Sequence, residues 1–407
     1  MRTFLPTALL LLSAALPVTI WADTNVPPKN VRVLVYQYVN ANVPGSFGST
    51  GVEQDFSVKE TLGTSVIKSI SSDVAAAWDE LHKVSPKLAE EINLGKVDLE
   101  PEIKIKANVL GLAWGLTDKL MVAVGAPIMS ASVNVKGGYI DTNALKGTAS
   151  ALRAVTDPSV ASKAAAFAQA LEQLPTLRGE YLQGVIVNEF GYKPVGNWRG
   201  EGLGDTTVFA QYRFSNHDIF KHAVKGGAEL PTGRKDDPDN LVDVPFGTGY
   251  VGSFVESLND FYVWDDKLML TGNAKYQINW RANREFRLAP SYDFPLSSWK
   301  ETILYNPGDY WQVQGEIGSK VGYGVGFYTQ YTIKNKGKDG IHGARGDYDY
   351  GILEHRTNSR TETWKSSITY STVPLYMKGR FPVPFKVGLA RSRVVQLSLQ
   401  SECGQTV

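Results

Sequence analysis

The sequence predicts an all-β protein, an antiparallel transmembrane β-barrel of about 12 strands with helical insertions in its long loops. Three observations predict it. The first is the stretch Lys267 to Arg281, KLMLTGNAKYQINWR. Leu268, Leu270, Gly272, Ala274, Tyr276, Ile278 and Trp280 share one parity, and Thr271, Asn273, Lys275, Gln277, Asn279 and Arg281 share the other. Alternation held this long is a strand of about twice the usual globular length. A soluble sandwich keeps strands short and buries the apolar face, whereas a transmembrane barrel turns that face to lipid and the polar one to a wet lumen. The second observation is the rhythm of the connections. Short turns fall near 117, 216, 265, 322 and 378, and long connections at 41–97, 137–200, 232–247, 282–309 and 334–360, the pattern of outer-membrane barrels. The third is the supply of 19 Tyr and 9 Trp, rings suited to two membrane interfaces.

The elements follow in order. The start, MRTFLPTALLLLSAALPVTIWA, has Arg2, an apolar run from Phe4 to Val18 and small Ala22. It is a secretory signal peptide over residues 1–22, leaving 23–407 as one barrel domain. No later stretch reaches the roughly 20 apolar residues of a spanning helix. Val31 to Asn40 is the first strand. Val66, Ile70, Val74, Trp78, Leu81, Leu88 and Ile92 then recur at helical spacing, a helical insertion over residues 62–93 broken near Pro86. From Asp98, Leu99, Pro101, Ile103, Ile105, Ala107 and Val109 alternate with Glu100, Glu102, Lys104, Lys106 and Asn108. A tight turn at Thr117-Asp118 leads into Lys119 to Val135, with Leu120, Val122, Val124, Ala126 and Ile128 on one face. A second helical insertion spans residues 143–175, with the stripe Val160, Ala164, Phe167, Leu171 and Leu174 between Pro158 and Pro175. Further strands are expected at 205–214, 223–231, 249–263, 267–281, 311–317, 325–333, 363–372 and 385–395. With the first strand the tally is one short of an even-numbered barrel, and the alternation of turns places both helical insertions on the extracellular side.

Formal net charge is +1, which gives no bulk attraction to nucleic acid. A single cysteine, Cys403, rules out an intrachain disulfide framework. The five histidines, His82, His217, His222, His342 and His355, have neither a Gly-x-Ser-x-Gly partner nor metal spacing. No enzyme is expected. GEGLG (200–204) and GYGVG (322–326) lack the following helix of a nucleotide loop and are read as tight turns and strand glycines. Asp236, Asp237, Asp239 and Asp243 share one loop, but not at EF-hand spacing, so neither metal nor cofactor is expected. The residues expected to face the lumen are Glu100, Glu102, Lys104, Lys106, Arg213, Lys225, Glu229, Lys275, Arg281, Glu316 and Lys365. Both signs are present, and buried charges must pair. A small barrel is commonly filled by its side chains. A salt-bridged, largely filled lumen is therefore favoured over a wide pore, and the helical stripes are left to form a lid or an apolar pocket above it.

Four stretches carry a resemblance: AWGLTDKLMVAVGAPI (113–128), GLGDTTVFAQYRF (202–214), GGAELPTGRKDD (226–237) and FGTGYVGSFVE (246–256). They resemble a family of bacterial outer-membrane proteins related to the meta-pathway of phenol degradation, itself similar to the long-chain fatty-acid transporter barrels. With the hairpins around them the likeness covers roughly residues 97–135 and 200–390. It implies a bacterial outer-membrane barrel that takes up or binds small hydrophobic compounds, aromatic or fatty-acid-like, with outer-membrane lipid as its surroundings. It brings no catalytic residues. In the fatty-acid transporters a kinked strand opens the wall sideways. By that resemblance Gly125 and Pro127, where proline removes a ladder donor, are a candidate lateral opening; a plain bulge near the membrane rim is the alternative. Such barrels also close with a strand ending in an aromatic residue, whereas here the chain ends LARSRVVQLSLQSECGQTV. The expectation is a closing strand that is missing or replaced, as by a frameshift or truncation after about Gly388. The competing function is a structural or adhesive surface barrel whose long loops contact a partner. Substrate, direction of transport and oligomeric state are not set by the sequence.

Overall fold

The computed structural model describes residues 23–43, 96–140, 183–264, 267–291 and 296–399, with shorter pieces between 45 and 93 and between 149 and 169. Residues 1–22, the expected signal peptide, and 400–407, with Cys403, lie outside the described residues.

β1 (Arg32–Val43) is a β-branched and aromatic run whose faces alternate in exposure. β2 (Gly45–Phe47) and β3 (Glu53–Asp55) pair with each other, and β4 (Val58–Thr61) follows. In the first expected insertion, residues 75–76, 78–79 and 82–83 are helical, as is α1 (Pro86–Glu91). Pro86 opens α1, where its missing N–H costs nothing. Trp78 is buried there and donates Nε1–H to the Ala89 carbonyl at 3.2 Å. Val66, Ile70, Val74, Leu81 and Ile92 lie outside the described residues. Of the second stripe, Ala164 is helical and buried, and Val160, Phe167, Leu171 and Leu174 lie outside them.

β5 (Lys96–Gly115) and β6 (Leu120–Ile140) form the long hairpin in unbroken register from Lys96↔Ile140 to Gly115↔Met121. The Thr117 hydroxyl closes its turn by accepting the Leu120 and Lys119 amides at 2.9 and 3.1 Å. After a short π-helix (Val185–Glu189) come β7 (Trp198–Leu203), β8 (Thr206–Asn216), β9 (Phe220–Leu230), β10 (Gly252–Val263) and β11 (Leu268–Asn279). β12 (Ala282–Arg287) and β13 (Lys300–Asn306) lie in a long connection. β14 (Tyr310–Gly322), β15 (Val325–Lys336), β16 (Gly340–His342), α2 (Gly351–Glu354), β17 (Ser359–Ser371), α3 (Val373–Met377) and β18 (Lys386–Leu399) complete the chain.

Thirteen strands form one antiparallel sheet, whose continuous path runs β1-β5-β6-β8-β9-β10-β11-β14-β15-β17-β18. The other two are continuations: β4 lies beyond β1 along β5, and β7 lies beyond β8 along β6. Among the described residues the path therefore holds eleven wall positions, the number of strands counted in the sequence and one short of the nominal twelve, and no ladder joins β1 to β18. The sheet is nonetheless rolled, because Val394 of β18 packs against a cluster built on β1, β5 and β6. The connections 282–309 and 334–360, expected to be plain loops, supply a separate sheet β12-β13-β16 around buried Ile303, Tyr305 and Ile341. The strand expected at 385–395 is β18, which pairs with β17 from Ser371↔Lys386 to Ser359↔Leu399 and extends past the expected end without joining β1.

One face of the rolled sheet is buried and the other is exposed and apolar. Leu112, Val124, Val255, Leu270, Ile278, Val313, Ile317 and Ile368 stand on the outer face. Rings mark its two margins. Phe214, Phe261, Phe327 and Tyr370 lie toward the short turns, and Tyr276, Trp280, Trp311 and Trp364 toward the long loops. From Leu270 to Ile278 the outer band of β11 runs about 27 Å along the strand at the usual rise, or roughly 20 Å of height at the usual barrel tilt, most of the apolar height of an outer-membrane wall.

Two sequence expectations fail here. Glu100, Glu102, Lys104 and Lys106 are exposed on the outer face, while Ile103, Ile105, Ala107 and Val109 are buried on the inner one. Parity identifies which residues share a face but not which side that face takes. Beyond Asn108, β5 stands clear of the apolar band, so its outer face is charged and its inner face is free to bury aliphatic groups. Arg281 is likewise exposed, lying past the end of β11.

Candidate functional site

The inner face is divided. Its apolar half comprises Val43 of β1, Ile103, Ile105, Ala107 and Val109 of β5, and Met129, Ala131 and Val133 of β6. Val244 and Phe246, from the connection between β9 and β10, drop into the same cluster. The polar half runs from β8 to β17. Lys225 pairs with Glu256 at 2.6 Å, and Lys275 with Glu229 at 3.2 Å. Gln277 donates to Glu229 at 3.0 Å and accepts the Tyr310 hydroxyl at 2.6 Å. Glu316 and Lys365 share an inner-face level across Gln330. Arg213 is half-buried and donates to the Asp118 carbonyl at 2.9 Å. The structure thus brings Arg213, Lys225, Glu229, Lys275, Glu316 and Lys365 onto the inner face, without Glu100, Glu102, Lys104, Lys106 or Arg281.

Residues 23–30, unremarked in the sequence, thread into the rolled sheet near the short-turn end. The Thr24 amide and hydroxyl donate to Asp260 at 3.0 and 2.6 Å, and Thr271 donates to its other oxygen at 2.7 Å. Gln211 donates to the Asp23 carbonyl at 3.0 Å, and Val26 packs with Ala113, Met121 and Ala123. The segment is tied to the wall where the Lys29 amide meets Asp118 at 3.0 Å and the Asn30 amide meets the Gly115 carbonyl at 2.8 Å. A strand-period search could not find it, because it is irregular backbone satisfied by distant groups.

The wall has a break. β6 pairs with β8 up to Gly125↔Thr207 and resumes with β7 at Ile128↔Leu203. Gly204 and Asp205 fill the gap, opposite Ala126 and Pro127, and the Gly204 amide reaches the Pro127 carbonyl at 2.8 Å. Gly125 and Pro127, the candidate lateral opening, are both buried and on the inner-face parity at this break. On its far side β9 ends at Leu230, so the outer edge of β7 meets a loop instead of a strand, through Arg234 N–H to the Leu203 carbonyl at 3.1 Å.

That loop, residues 231–251, is latched at the break by Asp205. One carboxylate oxygen accepts the Gly233 amide at 3.0 Å, and the other accepts the Thr248 amide and hydroxyl at 2.7 and 2.8 Å. Gly233 and Gly247 cross above it; a Cβ on Gly233 would stand 2.6 Å from the Gly247 Cα, so only glycine allows the approach. Arg234 lies over the rings of Trp198 and Phe246 at 5.0 and 5.6 Å, pairs with Asp243 and donates to the Val244 carbonyl at 3.0 Å. The four stretches that carried the family resemblance meet at this node through Pro127, Asp205, Gly233 and Gly247. Asp205 and Phe246 drew no notice as single residues; the signal for them was the shared occurrence of those stretches.

Above the latch a cap of cations uses the acidic loop. Asp236 pairs with Arg284 at 2.9 Å, Asp237 with Lys193 at 2.5 Å, and Asp239 with Arg287 and Lys300 at 2.6 and 2.9 Å. Burial pushes the Asp236 carboxyl up, only partly offset by Arg284. Burial also opposes ionisation of Asp237 and Asp239, but Lys193 on the first and Lys300 and Arg287 on the second hold both below the ordinary aspartate value. Arg287 ties three segments together by donating to the Phe190, Pro238 and Ser297 carbonyls. These carboxylates are engaged by cations, as a loop-docking device requires.

No family model matches the chain, and no curated protein matches it in sequence. Among solved structures, an outer membrane channel from Pseudomonas putida F1 matches at a TM-score of 0.50 and 12% identity, over 93% of each chain. The CymD monoaromatic hydrocarbon channel matches at 0.30 and 9% identity, over 90% of this chain and 85% of that one. A TodX ΔS2S3 mutant monoaromatic hydrocarbon channel matches at 0.30 and 10% identity, over 76% and 71%. The first likeness is one of fold: the chain is built, over nearly its whole length, as an outer-membrane channel is.

Proposed function

We propose that this chain is an outer-membrane β-barrel that takes up or binds small hydrophobic compounds, a member of the meta-pathway phenol-degradation type. Compounds dissolved in the membrane pass the wall at Pro127 and Gly204 and reach the apolar half of the interior when the 231–251 loop lifts. The observation that carries this reading is the coincidence of three features: a break in the ladder, an aliphatic cluster on the inner face beside it, and a latched loop whose Phe246 packs into that cluster. A water-filled pore for polar solutes has no use for the aliphatic half. In the membrane the sheet closes by bringing β1 and β18 together, and residues 23–30 occupy the exit toward the short turns. Aromatic compounds suit the space that Phe246 vacates as the loop lifts, beside Met129 and Trp198 as soft and flat surfaces.

The test is uptake of a labelled monoaromatic hydrocarbon by cells carrying the wild type or a variant with Gly125→Val and Pro127→Val, which restores a regular strand. Heat-modifiable gel migration checks folding of both. Loss of uptake with migration unchanged is the expected result. Equal uptake by a folded double variant would remove the break from the route.

A further inference from the structure

We infer that the interior selects cargo with an anionic head on an apolar body, and that Lys334 on β15 is the residue that reads the head group. This deepens the uptake reading and rests on it. Five neighbouring strands place Lys225, Glu256, Lys275, Gln312 and Lys334 side by side on the inner face, each directly opposite the next. Two of the three ammonium groups are matched: Lys225 by Glu256 at 2.6 Å, and Lys275 by Glu229 at 3.2 Å. Lys334 lies 3.9 Å over the Tyr310 ring. The anion whose charge reaches it, Glu229, forms no ion pair with it and is already held by Lys275 and Gln277. An interior cation that shares its counter-charge in this way is costly and is retained where a ligand completes the pair.

A second observation points to the same place. Gln314, on the next inner-face position of β14, is 2% exposed, and neither its amide nitrogen nor its amide oxygen has a hydrogen-bond partner. Buried amides without partners are rare in folded proteins and call for a ligand or an ordered water. A carboxylate accepts from both an ammonium and an amide N–H, which a neutral hydrocarbon cannot do and a cation cannot tolerate. The apolar body has its own wall nearby: two strands on from Lys334, Val394 already packs against the aliphatic cluster of β1, β5 and β6. Head and tail surfaces are therefore two strands apart around the inside of the roll.

The experiment measures binding by calorimetry to the full chain in lipid nanodiscs at neutral pH, with empty nanodiscs subtracted. The probes are phenylbutyrate, phenylbutanol, phenylbutylamine and acetate. One charge-assisted contact predicts that phenylbutyrate binds about tenfold tighter than phenylbutanol, with phenylbutylamine and acetate weaker than both. Lys334→Met should erase the phenylbutyrate preference and leave phenylbutanol unchanged, and Lys334→Arg should keep it. Heat-modifiable migration shows that each variant is folded. The inference is overturned if wild type binds the alcohol as tightly as the acid, if the preference survives in Lys334→Met, or if acetate binds as well as phenylbutyrate, which would make this a plain anion site. If none of the three phenyl compounds binds, the uptake reading itself fails, so the two failures are distinct.

Discussion

Replacing Asp205 with asparagine should unlatch the loop over the wall break. The wild-type carboxylate accepts three hydrogen bonds, from Gly233 N–H, Thr248 N–H and the Thr248 hydroxyl. An amide of the same shape keeps one acceptor oxygen and turns an NH₂ toward donors, so at least one backbone N–H loses its partner. A hydrogen bond to a charged acceptor contributes about 1.5–3 kcal/mol. Losing one raises the population of the lifted loop by roughly tenfold to a hundredfold. The amides of Gly233 and Thr248 report this directly, since their exchange with deuterated solvent follows the opening equilibrium. Hydrogen exchange of the folded protein in nanodiscs should therefore speed up by that factor at Gly233 and Thr248, with little change in β10 and β11. Uptake should rise or hold. Unchanged exchange at these two amides would refute the latch, because the loop would then be held by Arg234 and Phe246 alone.

Phe246→Ala removes the ring that packs into the inner aliphatic cluster and should destabilise loop docking by about 3–5 kcal/mol, read as faster tryptic cleavage after Arg234 and Lys235. Val313→Arg puts a charge on the outer apolar band and should cost about 2–4 kcal/mol of barrel stability by urea unfolding in bilayers. By contrast, Lys104→Ala changes an exposed residue above the band and should stay within about 0.5 kcal/mol. The cap should fail in acid. Asp237 and Asp239 have carboxyls held below their ordinary value, so they add stability above that value and lose it as pH falls through the lowered one. Asp236, pushed up by burial, works in the opposite sense. A nitroxide at Pro194→Cys, with Cys403→Ser, should show an immobile cap from neutral pH down to about 4 and a mobile one below.

How legible all this was in the sequence depended on where each segment's partners lie. β11 was readable because its two faces differ in chemistry over its whole length, one aliphatic and aromatic, the other amide and cationic. The hairpin of β5 and β6 was readable as strands but not as sides. Ile103 and Ile105 look like lipid-facing residues until Val244 and Phe246, more than a hundred residues later, arrive to cover them from within. The same non-local cause hid Asp205, whose partners Gly233 and Thr248 are distant in sequence, and residues 23–30, whose hydrogen bonds reach Gln211 and Asp260. β7 escaped because its Trp-Arg-Gly-Glu-Gly-Leu run has too few apolar residues to mark an inner face. Gly125 and Pro127 were expected to interrupt their strand, yet β6 runs through both in register with β5; the break lies on the other side of β6, at Gly204 and Asp205, and became visible only through pairing.

The height of the break gives the arrangement its sense. On β6 the outward residues are apolar from Leu120 to Ile128 and polar from Ser130 onward, and on β5 they change from Leu110 to Asn108 and then to the charged run. Leu203 of β7, exposed, sits opposite Ile128 at this boundary. Pro127 and Gly204 thus lie just inside the outer margin of the lipid band, below the charged outer skirt formed by Glu102, Lys104, Lys106 and Lys136. A hydrophobic compound that has crossed the polar surface and dissolved among acyl chains meets the wall at this level, where the charges at the break, Asp205 and Arg234, are half-buried and already bonded within the loop. The same compound arriving from water would first meet Arg287, Asp239 and Lys300. A break higher up would open onto solvent, and one lower down would open onto the polar half and the segment 23–30. Only at this level does an interrupted ladder connect an apolar exterior to an apolar interior, which is why the proposed route places access at the loop latched there by the half-buried Asp205 carboxylate.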